Sequence, residues 1–176
     1  GSRYQNKPAV SRATLSMLTE GTKSYTSHQI AEKFDFYGSF CEQASDRDYG
    51  KVSLFSLIKY LHESLDLLQE VLLYPIFPEK ELSTYKIKGK QSLIVELEKV
   101  STLARQDFFK GIFGSKHPYG VFVEPDDYAN LSKEDLIAFH NNYLTSKRCT
   151  IVATGKIDKK VIDLITSVFG NQKWGS

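Results

Sequence analysis

The sequence contains few cysteines, few prolines and no long hydrophobic run. Its 176 residues include two cysteines, five prolines and one tryptophan. Cys41 and Cys149 lie far apart and lack metal-ligand spacing, so they predict neither a disulfide framework nor a zinc cluster. No apolar run approaches the roughly 18 residues that a membrane span requires, and residues 1–20 lack the apolar core of a secretion signal. The sequence therefore gives no indication of a membrane span, and it leaves the compartment open.

The sequence also lacks an excess of charge of either sign. Its 23 basic and 21 acidic residues are mixed along the chain and leave a formal net charge of +2. Without a basic stripe, we do not expect a nucleic-acid partner. The hydrophobic fraction of 41% is ordinary for a soluble globular domain, so we expect one domain over residues 1–176. Its abrupt start, "GSRYQN", and end, "QKWGS", suggest a segment excised from a longer chain.

The first part of the chain predicts two helices. The opening residues could be the end of a strand, and Pro8 then stands where a first helical turn tolerates proline. Gly21 closes this first helix. A second helix is capped by Thr26 or Ser27 and stops near Gly38.

The next part predicts a hairpin and a leucine-rich helix. Phe40, Val52, Leu54 and Leu57 indicate two strands that turn around residues 46–50. The following helix has one leucine face and ends before Pro75; its members are Leu61, Leu65, Leu68, Leu72 and Leu73.

The last part predicts further helices and one more strand. A long helix, in which Gly89 is the candidate kink, precedes another that ends at Gly114. Ser132 and Asp135 form a capping box, and Asp158 caps a closing helix. Residues 148–155, "RCTIVATG", predict a buried strand.

Together these patterns predict an α+β fold with one mostly antiparallel sheet and helices packed on one face. Three strands are few for so many helices. We therefore expect the first strands of the sheet to be missing from this segment.

Five short motifs, in order along the chain, carry a family resemblance. They are "GSRYQ", "MLTEGT", "IFGSKHPYG", "LSKEDLIAFHNNYL" and "TIVATGKID". In this order and spacing they resemble the pitrilysin and insulinase family of zinc metallopeptidases, including its mitochondrial processing peptidase branch. The resemblance implies paired α/β domains that enclose a chamber for unfolded peptides. It also makes a bacterial cytoplasm or periplasm our working expectation for location.

The family's metal site does not match this sequence. The resemblance implies an H-x-x-E-H motif on the helix that ends in "GT", in which two histidines bind zinc and the glutamate is the general base. These positions fall on Arg12, Leu15 and Ser16. Counting back from "IFGSKHPYG" places the third ligand at Gln91 or Ser92. None of these side chains is a good zinc ligand or a base, so we expect no catalytic residue and no metal in this segment.

Other residues were considered as metal ligands. Glu96 and Glu98 lie too far along the helix to replace the missing ligand without a shift of more than one turn. His28 with Glu32, and likewise His62 with Asp66, has the four-residue spacing that can share a metal on a helix. We interpret both as solvent-exposed helical pairs, because no third ligand is evident near either.

Three residues are candidates for peptide contact. In inactive halves of paired family members, a basic residue and a tyrosine hold substrate backbone, and Lys51 and Tyr60 are the nearest matches. Alternatively, Lys51 is simply solvated and Tyr60 is packed at a helix start. Tyr119, in "HPYG", could either pack its ring or turn its hydroxyl to the chamber. The aromatic stretch "EKFDFYGSF" is interpreted as a core or interface patch, since it lacks the basic residues of a base-stacking platform.

The resemblance implies a non-catalytic domain that pairs with a zinc-bearing family domain, in the same chain or in another subunit, and contacts extended peptides. Two alternatives stay open. One is an active zinc metalloendopeptidase whose zinc site lies elsewhere in the parent chain. The other is a purely structural subunit of a complex.

Overall fold

The computed structural model describes residues 1–170 and 173–175 and has an α+β architecture. Within these residues, the helices are α1 (Val10–Ser16), α2 (Ser27–Phe36), α3 (Leu61–Leu73), α4 (Glu79–Leu97), α5 (Val100–Phe113), α6 (Lys133–Tyr143) and α7 (Lys159–Ile165), and the strands are β1 (Phe40–Ser45) and β2 (Gly50–Phe55). A π-helical turn, Thr166–Gly170, continues α7. In this part of the chain no helix is both long and apolar enough to cross a membrane.

The two strands form an antiparallel hairpin, as predicted. Phe40 pairs with Phe55 at its open end, and Ser45 pairs with Gly50 at the turn. Because side chains alternate along a strand, one face contains Cys41, Gln43, Val52 and Leu54, which pack toward the helices. The opposite face is exposed and includes Phe40, Glu42, Ala44, Lys51 and Phe55. The predicted arrangement, with helices on one face of an antiparallel sheet, is confirmed.

Two apolar clusters form the core. The first joins α1, α4 and α6 through Ala9, Val10, Ala13, Met17, Phe77, Leu82, Tyr128, Leu131, Leu136 and Phe139. The second joins α2 and α3 to the hairpin and the π-helical turn through Ile30, Phe34, Leu65, Leu67, Leu68, Val71 and Val168. Helix α1 therefore lies between the hairpin and the helices α4 and α6.

Three predicted helix starts are confirmed. The hydroxyl of Thr26 accepts a hydrogen bond from the Gln29 backbone, and Ser132 and Asp135 form the predicted capping box. Asp158 caps α7 by accepting from the Val161 backbone N–H. These starts were predictable because capping is a local interaction between near neighbours in sequence.

The predictions of strand at residues 148–155 and at the chain start are wrong. Residues 149–154 are not a strand, and Ile151 and Val152 are 50% and 84% exposed. No neighbouring strand in the described residues pairs with this segment, and β-propensity alone does not form a strand without a partner. At the chain start, Ser2–Tyr4 is a 3-10 turn closed by hydrogen bonds from the Tyr4 and Gln5 amides to the Gly1 and Ser2 carbonyls. The Ser2 and Arg3 amides donate to carbonyls of the hairpin turn.

Two helices also differ in detail from the predictions. The first helix begins at Val10, two residues after Pro8, and ends at Ser16; a 3-10 turn, Leu18–Glu20, then leads to Gly21. The long helix α4 runs through Gly89 without interruption.

Candidate functional site

The residues that the sequence motifs assign to the family's metal positions lie on α1 in three different environments. Arg12 is exposed, Ser16 is half-buried, and Leu15 is 3% exposed. The Leu15 side chain packs on the start of β2, where a Cβ placed on Gly50 would lie only 2.7 Å from Leu15 Cδ1. The same helix is tied to β1 by a hydrogen bond of 2.8 Å between the hydroxyls of Ser11 and Ser45. Leu15 is thus part of the contact between α1 and the hairpin.

Tyr85 of α4 lies against the remaining two positions. Burial, reinforced by the neighbouring Tyr128, raises the pKa of Tyr85 to about 12, while the charge of Arg12 and a hydrogen bond with Ser16 act in the opposite direction. Tyr85 also packs on the cluster between α1, α4 and α6. The phenol, which stays protonated at neutral pH, therefore stands beside Arg12 and Ser16.

Gln91 and Ser92 lie further along the same helix as Tyr85 and are both exposed. Six residues of α-helix span roughly 9 Å, so Gln91 is displaced from Tyr85 by that distance along the axis. We predict from the family resemblance that Gln91 nevertheless converges with Arg12 and Ser16 on one site. Further along, Glu96 pairs with Lys99, and Glu98 is exposed.

The histidine–carboxylate pairs on the second and third helices are exposed to solvent. His28 Nδ1 lies 3.2 Å from Glu32, and His62 Nδ1 lies 3.2 Å from Asp66. All four side chains are more than half exposed. Across residues 1–170 and 173–175, no three His, Cys, Asp or Glu side chains group closely enough to hold a metal ion.

The three candidates for peptide contact lie in different environments. Lys51 is on the exposed face of β2, opposite Ala44 of β1. Tyr60 stands at the start of α3 and is half-buried, with its ring centroid 5.8 Å from that of Tyr37. Tyr119 lies in the loop after α5 and reaches the hairpin turn.

The hydroxyl of Tyr119 donates a hydrogen bond to the Asp48 carboxylate. This hydrogen bond, together with one from Arg3 Nη1 at 3.1 Å, lowers the pKa of Asp48. The same contact with Asp48 raises the pKa of Tyr119. The hydroxyl of Tyr119 is thus held by the hairpin turn, and its ring packs beside Phe113 and Arg47. Contact of Tyr119 with peptide stays a prediction.

The hairpin also presents an open surface that the sequence patterns did not identify. A shallow depression along β1 is lined by residues from both faces of the hairpin, namely Cys41, Glu42, Gln43, Ala44, Lys51 and Ser53. At the open end, the rings of Phe40 and Phe55 stack with centroids 4.4 Å apart, and both rings are about half exposed. Burial alternates along β1 in the structure, but the sequence alone does not show which face of the strand the helices cover.

Neither cysteine is disulfide-bonded, and both thiols are protonated at neutral pH. Burial raises the pKa of Cys41 to about 11, although a hydrogen bond from Gln43 opposes this. Burial also raises the pKa of Cys149. Neither thiol has the lowered pKa of a nucleophilic cysteine.

Comparison with known protein families identifies the class to which this domain belongs. The family profile described as "Insulinase (Peptidase family M16)" matches residues 1–110, and the profile described as "Peptidase M16 inactive domain" matches residues 130–176. The chain belongs to peptidase family M16. The resemblance identified from the sequence motifs is thereby confirmed.

Curated relatives agree with this assignment. The chain is 23% identical over 180 residues to an uncharacterized zinc protease of Bacillus subtilis, YmxG, covering 97% of this chain and 42% of the relative. It is 24% identical over 157 residues to the mitochondrial-processing peptidase subunit alpha-1 of Dictyostelium discoideum, covering 88% of this chain and 24% of that subunit. The chain thus spans less than half the length of these relatives.

Solved structures show the same fold. A peptidase M16 inactive domain from Pseudomonas fluorescens matches with a TM-score of 0.75 and 26% identity, over 81% of this chain and 35% of that one. A protease from Helicobacter pylori matches with a TM-score of 0.86 and 18% identity, over 97% of this chain and 42% of that one.

Proposed function

We propose that this chain is a non-catalytic domain that forms one half of a peptidase chamber, pairs with a zinc-bearing family domain, and contacts extended peptides. The observation that carries the proposal is the burial of Leu15 in α1. Leu15, at the position of the family's general base, is buried against the hairpin and has no group that can accept a proton.

The other two metal positions support the same conclusion. Arg12 has no lone pair to offer a metal, and the Ser16 hydroxyl is a poor zinc ligand. A zinc ion would also meet the positive charge of Arg12. The match of residues 130–176 to the inactive-domain profile is consistent with a domain that lacks its own zinc.

The outer strand edges and the exposed face of the hairpin support the proposal that the domain contacts peptides. Each strand of a two-stranded sheet has one outer edge of backbone N–H and C=O groups, which an extended peptide can extend as a further strand. Lys51 and Glu42 lie on the exposed face beside these edges and can pair with charged peptide side chains. We therefore propose Lys51 as a contact for peptide, with Tyr60 a candidate at the far end of β2.

Exposed apolar side chains support pairing with a second domain. The helix α5 presents Val100, Leu103, Phe108 and Ile112, which are 45–80% exposed. Exposed apolar patches of this kind mark interfaces in soluble proteins. Zinc is expected in the partner domain, in the same chain or in another subunit.

Metal analysis and cleavage assays test the proposal. We expect the purified chain to contain far less than one zinc per molecule after dialysis and to cleave no unfolded peptide. Together with a zinc-bearing family domain, in the same chain or in another subunit, it should show chelator-sensitive cleavage. One tightly bound zinc per chain that supports cleavage by this chain alone would disprove the proposal.

A binding assay separates a peptide-binding domain from a purely structural subunit. With fluorescein-labelled oxidised insulin B chain as the probe, Lys51→Glu should weaken binding about five-fold or more, because it replaces an attractive charge with a repulsive one. Lys80→Glu, an equal charge change at an exposed position of α4, is the matched control. A stable complex without any peptide binding would support the structural subunit instead.

A further inference from the structure

Arg47, in the turn of the hairpin, is surrounded by three aromatic rings from a distant part of the chain. Its guanidinium carbon lies 3.8 Å from the ring centroid of Phe109, 5.3 Å from that of Tyr119 and 5.7 Å from that of Phe122. All three distances are within the range of a cation–π interaction. Phe109 belongs to α5, and the other two rings belong to the loop that follows it.

The neighbouring Asp48 adds a second connection between the same two regions. Its carboxylate accepts a hydrogen bond from the hydroxyl of Tyr119, as described above. Arg47 and Asp48 thus hold the α5 loop from adjacent positions in one turn. The backbone of this turn is held in place by Ser2 and Arg3, whose amides donate to the carbonyls of Asp46 and Arg47 at 2.9 Å.

The segment from α5 to its loop has little other anchorage in the core. Within residues 100–122, only Thr102 and Gly120 are buried, and Phe108 and Ile112 are 63% and 59% exposed. A segment with so few buried side chains depends on individual contacts for its position. The aromatic contacts between this segment and the hairpin are those of Phe109, Tyr119 and Phe122 with Arg47.

We infer that Arg47 is a positioning residue that anchors the loop carrying Tyr119 to the hairpin carrying Lys51, so that both belong to one fixed peptide-facing surface. Lys51 lies in β2, four residues after Arg47, so the turn that contacts the loop leads directly into the strand that carries Lys51. The inference rests on the proposed function, because it assigns Arg47 a role in peptide binding that it does not perform by contact.

Hydrogen exchange and peptide binding, measured on the same variants, test the inference. Arg47→Met keeps the apolar stem and removes the cation, and Arg148→Met is the matched control because Arg148 lies 5.5 Å from the rings of Tyr4 and Tyr143. In Arg47→Met we expect amide exchange in residues 109–122 to accelerate about ten-fold and affinity for oxidised insulin B chain to fall about five-fold. Arg148→Met should leave both values within about two-fold of wild type.

The Arg47→Lys variant distinguishes loss of the cation–π contacts from a general loss of folding. It retains a cation over the rings, but not the planar stacking, so its exchange and affinity should fall between those of wild type and Arg47→Met. Unchanged exchange in residues 109–122 of Arg47→Met would overturn the inference, as would faster exchange with unaltered peptide affinity. If the wild type bound no peptide, the proposed function and the positioning role would both fail, while faster exchange would still identify the anchor.

Discussion

Gly89 of α4 lies directly beneath the ring of Tyr128, so close that a Cβ at residue 89 would stand 2.3 Å from Tyr128 Cε1 and 2.7 Å from Cδ1. Tyr128 is 5% exposed and belongs to the cluster shared by α1, α4 and α6. A buried ring held by neighbours on several sides cannot move aside cheaply. Glycine is therefore required here for the close approach of ring and helix.

We predict that Gly89→Ala destabilises the protein, although glycine is a poor helix former. The helical gain from alanine is about 1 kcal/mol, whereas overpacking a core costs about 1–3 kcal/mol. The free energy of unfolding from urea titrations should therefore fall by up to about 2 kcal/mol. Gly111→Ala in α5 is the control: a Cβ there meets nothing within 4 Å, so stability should rise by about 0.5–1 kcal/mol. Equal stabilisation of both variants would contradict the conclusion that the Tyr128 ring requires glycine at residue 89.

His140 joins α6 to the end of α3. Its Nε2 lies 2.7 Å from the Leu72 carbonyl oxygen, to which it donates, and its ring meets Phe77 edge-on with centroids 5.9 Å apart. We predict that His140→Leu lowers the free energy of unfolding by about 1–3 kcal/mol, because a carbonyl loses its partner in a buried setting. His62→Leu, at an exposed contact with Asp66, should change stability by less than about 0.5 kcal/mol. Urea titrations of both variants give the comparison, and similar small effects would argue against the His140 contact.

Much of the fold could be predicted because its signals are local. The caps at Thr26, Ser132 and Asp158 depend on residues three positions apart, and the hairpin depends on alternation around one turn. The extended segment 149–154 could not be predicted, since forming a strand requires a neighbour in space. Gly89 predicts a kink from sequence, because the sequence shows that residue 89 has no side chain but not that the Tyr128 ring occupies the space.

The candidate site divides in the same way. Counting from the motifs assigns Arg12, Leu15 and Ser16 to the family's metal positions, and this assignment stays a prediction. The environment of Tyr119 could not, because its partners Arg47 and Asp48 lie in another part of the sequence. Only the folded chain brings the hairpin turn to the loop after α5. The contact of Tyr85 in α4 with Arg12 and Ser16 in α1 could not be predicted for the same reason.

Asp135 gives a pH-dependent prediction. Burial acts to raise its pKa, but hydrogen bonds from Lys7 and Ser132 outweigh this, and the pKa of Asp135 is lowered in the folded protein. A lowered folded pKa means that the carboxylate stabilises the fold above the ordinary aspartate pKa, and that this contribution is lost as pH falls through the folded value. Asp135→Asn should therefore cost about 1 kcal/mol near pH 7.

The difference between wild type and Asp135→Asn should shrink toward zero as the pH falls below the folded pKa, which urea titrations across an acid series will show. Asp126→Asn is the control, because its carboxylate is 89% exposed and pairs only at the surface with Lys90. Its effect should stay below about 0.5 kcal/mol. A constant cost of Asp135→Asn at every pH would show that the ionised carboxylate is not what stabilises α6.

Leu15 provides the sharpest test of whether the catalytic position can be restored. Because it is 3% exposed and packs on Gly50, Leu15→Glu should lower the free energy of unfolding by about 3 kcal/mol or more through burial of an unpaired carboxyl group. Leu15→Met keeps the volume and should cost less than about 1.5 kcal/mol. Urea titrations followed by circular dichroism measure both. If Leu15→Glu were as stable as Leu15→Met, the position would be open to water, and the assignment of Leu15 as a packing residue would fail.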